Sequence, residues 1–118
     1  MADAALFVGW GPPVRGREAK GLEVFNEALA FQGKQQESGE IESFEVVLIG
    51  PHGGDLYGFF LVRGSEDQIA ALRANEEFQR LNTRAALVVE RLGVVDAVIG
   101  DGIGEQVSVY QEAVRELA

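Results

Sequence analysis

The central part of the chain decides the fold, and its sequence is IESFEVVLIGPHGGDLYGFFLVRGSEDQ over residues 41–68. Ile41 to Ile49 and Leu56 to Arg63 are short runs rich in β-branched and aromatic residues, which predict two strands. The glycine-rich segment between them, residues 50–55, predicts a hairpin connection slightly longer than the tightest types. This stretch therefore predicts an antiparallel strand pair.

A helical region follows the hairpin and changes its apolar stripe midway. Ser65 predicts a helix N-cap, with Gln68 at the capping-box position. Asn75 precedes two glutamates and predicts a second N-cap. We therefore expect two helical pieces that bend near Asn75 and end at Gly93, followed by a fourth strand over residues 94–99.

The two ends of the chain supply the remaining elements. Residues 5–10 predict a first strand, because they are apolar and a Gly-Pro-Pro turn follows them. Residues 17–36 predict a helix with charges opposite its apolar stripe. That stripe comprises Leu22, Phe25, Leu29 and Gly33, with Val24, Ala28 and Phe31 beside it. A last helix is predicted from a stripe that comprises Ile103, Val107, Tyr110, Val114 and Leu117.

The resulting order is strand, helix, strand, strand, helix, strand and an extra C-terminal helix. This order resembles the ferredoxin-like βαββαβ fold, in which both main helices cover one face of an antiparallel sheet. A chain of 118 residues fits one modest core. We therefore expect residues 1–118 to form a single α+β domain.

The composition is that of an ordinary globular chain with an acidic charge balance. Nineteen acidic and ten basic residues give a formal net charge of -9, which counts against nucleic acid and anionic membranes as partners. The absence of cysteine excludes disulfides and thiolate nucleophiles. No apolar run reaches the roughly 20 residues of a membrane span, and no signal-peptide pattern is present. We expect a cytoplasmic protein.

Both faces of the predicted sheet are apolar. Side chains alternate along each strand, and we assign the more uniformly apolar set of each strand to the helices. The set that faces the helices is Leu6, Val8, Trp10, Phe44, Val46, Leu48, Leu56, Phe60, Val62, Val95, Ala97 and Ile99. The other set is Phe7, Val47, Ile49, Tyr57, Phe59, Leu61 and Val98, interrupted by Glu45 and Asp96. This second face exceeds the roughly 300–600 Å² apolar patch that monomers tolerate, so we expect a cover.

Two covers fit the second face. One is the same sheet of another copy, which predicts a homodimer. The residues that would hold this homodimer are Phe7, Tyr57, Phe59 and Leu61. The other cover is RNA, because Leu6-Phe7-Val8-Gly9 and Tyr57-Gly58-Phe59-Phe60 resemble the two signature strands of an RNA-recognition motif. The negative charge favours the homodimer, since phosphate contacts supply much of the affinity for RNA.

A homodimer of this kind is similar to the dimeric α/β-barrel superfamily, in which two ferredoxin-like subunits pack sheet against sheet. YCII-like features are Gly50-Pro51, Gly58-Phe59-Phe60-Leu61-Val62, Ser65-Glu66-Asp67 and Asn75-Glu76-Glu77-Phe78. The chain differs from YCII proteins in two ways. It has no histidine in the first predicted helix, and residues 75–78 lack the Asp-Pro-Phe motif. The superfamily also includes cofactor-free monooxygenases, lactone isomerases and haem-degrading enzymes. The resemblance implies a substrate pocket between sheet and helices.

Five residues are candidates for binding a ligand in such a pocket. Asn26 and Asn82 lie within predicted core-facing stripes, where they either point into a cavity or bond to backbone and water. Trp10 ends its strand on the helix side and either walls the pocket or packs in the core. Tyr110 lines either the pocket or an interface. His52, the only histidine, is either functional or a solvated turn residue.

The predicted function is the binding of a small organic molecule, with a cofactor-independent enzyme of monooxygenase or isomerase type as the leading hypothesis. The alternatives are a non-catalytic ligand-binding protein, a structural homodimer and, more distantly, an RNA-binding domain. No metal site is expected, because His52 has no companion ligands at suitable spacing. No cofactor is expected either, since the glycine-rich stretches match no full phosphate-binding fingerprint.

Overall fold

The computed structural model describes residues 3–118, over which it has four strands and four helices. In chain order these are β1 (Ala4–Trp10), α1 (Glu18–Glu37), β2 (Ser43–Leu48), β3 (Gly58–Gly64), α2 (Glu66–Ala74), α3 (Glu76–Ala86), β4 (Gly93–Ala97) and α4 (Gly102–Leu117). The strands form one antiparallel sheet in the order β2-β3-β1-β4. Helices α1, α2 and α3 cover one face of it, which is the ferredoxin-like topology. The predicted fold class is confirmed.

The register of β3 determines which residues of the first three strands share a face. Phe60 lies opposite Val8 of β1 and Val46 of β2, while its neighbour Leu61 lies opposite Phe7. Directly paired residues project to the same side, and successive residues to opposite sides. Phe60 therefore faces the helices with its two partners, and Leu61 faces away from them with Phe7. The predicted faces of these three strands agree with this register.

The last strand, β4, lies in the opposite phase to the predicted one. Val95 pairs with Phe7 and so faces away from the helices, whereas Val94 packs against the core. Asp96 is on the helix side as well, where its carboxylate lies 3.5 Å from the guanidinium of Arg73 in α2. Alternation alone puts Val94 with Asp96 and Val95 with Ala97, and the pairing with β1 determines which pair faces the helices. The predicted placement of Val95 and Ala97 against the helices is therefore wrong.

The core lies between the sheet and α1, α2 and α3. It comprises Leu6, Val8, Phe31, Ile41, Phe60, Val62, Ile69, Leu72, Phe78 and Leu81. Helix α1 turns toward the core both Phe25 and Leu29 of the predicted stripe and the residues predicted beside it, which are Val24, Ala28 and Phe31. Leu22, the first residue of the predicted stripe, is 61% exposed.

Side-chain caps begin α2 and α3 as predicted. Ser65 Oγ accepts a hydrogen bond from the Gln68 backbone N–H at 3.1 Å, and Gln68 Oε1 accepts one from the Ser65 N–H at 2.8 Å. This pair is a capping box. Asn75 Oδ1 accepts a hydrogen bond from the Phe78 N–H at 2.9 Å. Asn75 is the single residue between α2 and α3. The predicted bend at Asn75 is confirmed.

A short backbone pairing joins the connection after β1 to the connection after α3. Pro13 and Val89 form an antiparallel bridge. Three N–H···O bonds of 2.8–2.9 Å surround it, from Gly11 to Glu90, from Val14 to Val88 and from Glu90 to Pro12. We call residues 11–14 and 88–90 the closing bridge. It requires extended backbone, so α3 ends at Ala86 and not at Gly93 as predicted.

The last helix, α4, is confirmed as an element but packs against no other described strand or helix. Its apolar stripe is exposed along its length, from Ile103 to Leu117, the latter being 88% exposed. A stripe of this spacing is typical of a helix face that packs against another surface. Over residues 3–118, no helix is both long and apolar enough to cross a membrane.

Candidate functional site

A cavity of about 300 Å³ lies between the sheet and helices α1 and α3. The sheet contributes Val8, Trp10 and Phe60. The helices contribute Phe25, Ala28 and Gln32 from α1, and Phe78, Leu81 and Asn82 from α3. The closing bridge lines it as well, through Pro13, Val88 and Val89. Both the volume and the mainly apolar lining are typical of small-molecule sites.

Three aromatic rings form a wall of the cavity. The ring centroids of Trp10, Phe25 and Phe60 lie 5.7–6.0 Å from one another, with interplanar angles of 53–63°. Tilted pairs at this spacing are favourable arrangements of aromatic rings. Gly58 makes room for the indole, since a Cβ there would lie 2.7 Å from Trp10 Cζ2. The local sequence thus presents a broad apolar surface to any occupant of the cavity.

Gln32 is a cavity residue that the sequence analysis missed. It lies on α1, is 2% exposed and lines the cavity. Its Oε1 atom is buried and has no hydrogen-bond partner, although buried side-chain polar atoms usually have one. A signal for this residue is present in the segment ALAFQG, residues 28–33, where glutamine is the one polar side chain. Gln32 lies one turn after Ala28, which packs against the core, and so shares the inward side of α1.

Two of the predicted ligand-binding residues line the cavity. Trp10 belongs to the aromatic wall, and Asn82 lies on α3 one turn after Phe78. Asn82 is half-buried, so its amide belongs to the edge of the cavity and not to the dry core. The structure therefore brings Trp10 and Asn82 together with Gln32. Their role in binding stays a prediction.

The other three predicted residues lie outside the cavity. Asn26 is exposed on α1. His52 is exposed in the connection from β2 to β3, where its Nδ1 lies 2.9 Å from the Gly50 carbonyl oxygen. Tyr110 is 70% exposed on α4, which does not reach the core. Asn26 and His52 thus take the predicted solvent-exposed alternatives, and a role of the three residues in binding stays a prediction.

Charge is confined to the rim of the cavity. Among the lining residues, all of which belong to the described part of the chain, only Glu18 is charged, and it is exposed. Tyr57, predicted on the second sheet face, also lines the rim. Outside the cavity, Arg84 of α3 donates a hydrogen bond to the carboxylate of Glu27 in α1. No group of three His, Asp or Glu side chains within residues 3–118 is arranged to hold a metal ion.

The sheet face that points away from the helices is a second candidate surface, which we call the open sheet face. Its partly exposed apolar residues are Phe7, Val47, Phe59, Leu61 and Val95. The rings of Phe7 and Phe59 pack with centroids 5.2 Å apart. Glu45, the predicted acidic interruption, forms an ion pair with Arg63 at 2.6 Å. The other predicted interruption, Asp96, is on the opposite side.

Known structures share the fold of this chain but little of its sequence. A dimeric ferredoxin-like protein of unknown function from a Jannaschia species is 12% identical, with a TM-score of 0.63 over 81% of this chain and 98% of that chain. A dimeric protein of unknown function from Bacteroides fragilis is 14% identical, with a TM-score of 0.59 over 81% and 96%. SnoaB, a cofactor-independent oxygenase from Streptomyces nogalater, is 18% identical, with a TM-score of 0.52 over 85% and 98%.

What these proteins share with the chain is the ferredoxin-like fold. No protein-family model and no curated protein sequence matches the chain. The resemblance that the sequence predicted, to ferredoxin-like dimers and cofactor-free monooxygenases, is confirmed at the level of the fold.

Proposed function

We propose that this protein binds a small, uncharged, mainly apolar organic molecule in the cavity between the sheet and helices α1 and α3. The observation that carries the proposal is the cavity of about 300 Å³ that the core side chains leave unfilled. Small-molecule sites are concave and mainly apolar, with a few polar groups in the lining. A recess of this size, walled by Trp10, Phe25 and Phe60 and lined also by Gln32 and Asn82, fits that description.

An enzyme that acts on a small organic substrate without a cofactor, of monooxygenase or isomerase type, is the first form of this proposal. The fold shared with SnoaB, described as a cofactor-independent oxygenase, supports it. In this form Trp10 walls the substrate, and Asn82 offers an amide at the cavity edge. A non-catalytic binding protein is the second form. It is favoured by the lining itself, which includes no histidine and no carboxylate except the exposed Glu18, whereas acid–base catalysis needs a positioned titratable group.

Binding is tested with the uncharged dye N-phenyl-1-naphthylamine, whose emission rises in apolar surroundings. We compare the wild type with Ala28→Phe, which fills the cavity, and with the matched control Ala30→Phe, on the exposed side of the same helix. We expect the dye to bind the wild type and Ala30→Phe, but not Ala28→Phe. Equal binding to both variants would place the dye elsewhere, and no binding to the wild type would contradict the proposal.

We also propose that the open sheet face pairs with the same face of a second copy. Support comes from its apolar centre around Phe7, Phe59 and Leu61, and from the two neighbours of unknown function that are described as dimeric. The Glu45–Arg63 ion pair reduces the charge cost of covering its margin. The position of Tyr57 at the cavity rim removes it from the centre of this interface. A cytoplasmic location stays a prediction.

The homodimer is tested by sedimentation velocity of the wild type, Phe59→Glu and the control Leu87→Glu, whose position is 62% exposed and away from the sheet. We expect dimers for the wild type and the control, and monomers for Phe59→Glu, since a buried unpaired charge is costly. A monomeric wild type would overturn the proposal. If that monomer also bound single-stranded RNA in moderate salt, RNA would become the favoured partner of the open sheet face.

A further inference from the structure

Gln32 holds a buried hydrogen-bond acceptor beside the cavity that this residue lines. Its side chain is 2% exposed, and Oε1 is buried without a partner. Most of the cavity lining has no side-chain donor, and the other lining residues that have one, Trp10, Tyr57 and Asn82, do not bond to Oε1. The chain therefore keeps an unpaired polar atom in its interior, which is unfavourable for folding alone.

The position of Gln32 along α1 shows which part of a ligand it would meet. Leu22 lines the cavity and is 61% exposed, so the cavity opens near that end of the helix. Gln32 lies ten residues further along, which corresponds to about 15 Å of α-helix, and is the last residue of α1 in the lining. A ligand that enters near Leu22 would place its leading end beside Gln32.

The absence of a buried charge in the cavity lining limits which chemical group the leading end of the ligand can carry. Oε1 is an acceptor, so its partner must donate a hydrogen bond. An ammonium donor would be buried without a carboxylate, since Glu18 is exposed at the rim, and burying an unpaired charge is very costly. A hydroxyl or a neutral N–H satisfies both conditions.

We infer that Gln32 is a specificity-determining residue, whose Oε1 accepts a hydrogen bond from a hydroxyl or N–H at the buried end of an uncharged, flat apolar ligand. The inference rests on the proposed function, because it requires that the cavity bind a ligand. The last torsion of a glutamine side chain has a broad energy profile, so a small rotation of the amide aims Oε1 at the ligand. The aromatic wall formed by Trp10, Phe25 and Phe60 binds the rest of the molecule.

The test compares two probes that differ in one donor, 2-naphthol and 2-methoxynaphthalene, by fluorescence titration. For the wild type we expect 2-naphthol to bind about tenfold more tightly, the ratio that one hydrogen bond typically supplies. For Gln32→Leu and Gln32→Met we expect this preference to disappear while the ether still binds. The matched control is Gln36→Leu, an exposed position on the same helix, which should keep the wild-type preference. Using two Gln32 variants guards against a single variant that fails to fold.

The outcomes separate this inference from the proposed function. If the wild type binds both probes equally, Gln32 selects no donor and the inference is overturned, while the cavity remains a binding site. If Asn82→Leu removes the preference and the Gln32 variants keep it, the acceptor is Asn82 and the inference is also overturned. If the wild type binds neither probe, both the inference and the proposed function fail.

Discussion

Phe78 links the helical layer to the cavity, and its replacement by alanine is the sharpest test of the packing described above. Its side chain is 3% exposed, belongs to the core and stacks on Phe31 with ring centroids 5.9 Å apart. Truncation removes the transfer free energy of a buried aromatic side chain, and the empty space that it leaves adds to the loss. Phe→Ala changes in cores typically cost about 3–5 kcal/mol. We expect Phe78→Ala to lose about that amount.

A loss of this size is a large part of the stability of such a domain, since domains of this kind unfold with about 5–15 kcal/mol. The assay is urea unfolding followed by circular dichroism, with Phe78→Leu and Leu87→Ala measured in parallel. Phe78→Leu should lose less, because it keeps most of the apolar volume. Leu87→Ala should change the free energy of unfolding by less than about 0.5 kcal/mol, since Leu87 is exposed.

The backbone N–H of Phe78 is bonded to Asn75 Oδ1, and this bond does not depend on the Phe78 side chain. The substitution therefore reports packing and not the helix cap. A loss below about 1 kcal/mol, far under the range for buried aromatic residues, would refute the packing of α3 against α1 and with it one wall of the cavity.

Three further predictions follow from single features of the structure. Asn75→Ala should lower the free energy of unfolding, measured by urea titration, by about 1 kcal/mol because it removes the N-cap. Asn75→Asp keeps an acceptor and should not lower it, so equal losses for the two variants would count against the cap. Gly58→Ala should cost about 1–3 kcal/mol, because its Cβ would meet Trp10 and a backbone oxygen at 2.7 and 2.9 Å; an unchanged tryptophan emission spectrum would contradict this clash. A chain that stops at Gly100 should unfold at the same urea concentration as the full chain under monomeric conditions, since α4 packs against no other described strand or helix; a lower midpoint would show that α4 stabilises the rest of the domain.

The parts of the fold that sequence predicts well depend on neighbouring residues. The caps at Ser65 and Asn75 need only a side chain and an N–H three positions later, so their residue types are enough to place them. The faces of β1, β2 and β3 follow from alternation, since assigning the more uniformly apolar set of each strand to the helices agrees with the observed pairing. From this alternation the sequence correctly predicts which side chains of β1, β2 and β3 face the helices.

The parts that the sequence did not predict depend on distant residues. The phase of β4 is set by the pairing of Val95 with Phe7. That phase puts the acidic Asp96 on the helix side, where Arg73 of α2 pairs with it. The end of α3 is set by the pairing of Val89 with Pro13, which no local signal announces. The inward face of α1 is wider than the predicted stripe, and local spacing does not show that it takes in Gln32 while Asn26 stays exposed.

The closing bridge holds the backbone at one end of the cavity without using the side chains that line it. Its bonds join backbone atoms only, from Gly11 to Glu90, from Val14 to Val88 and from Glu90 to Pro12. A backbone bond persists when the side chain beside it changes, provided that no new proline removes the N–H. Substitutions at positions such as Ala28 or Gln32 can therefore alter the shape and polarity of the cavity without opening this end of it. A scaffold of this kind keeps its fold while the lining of the cavity changes.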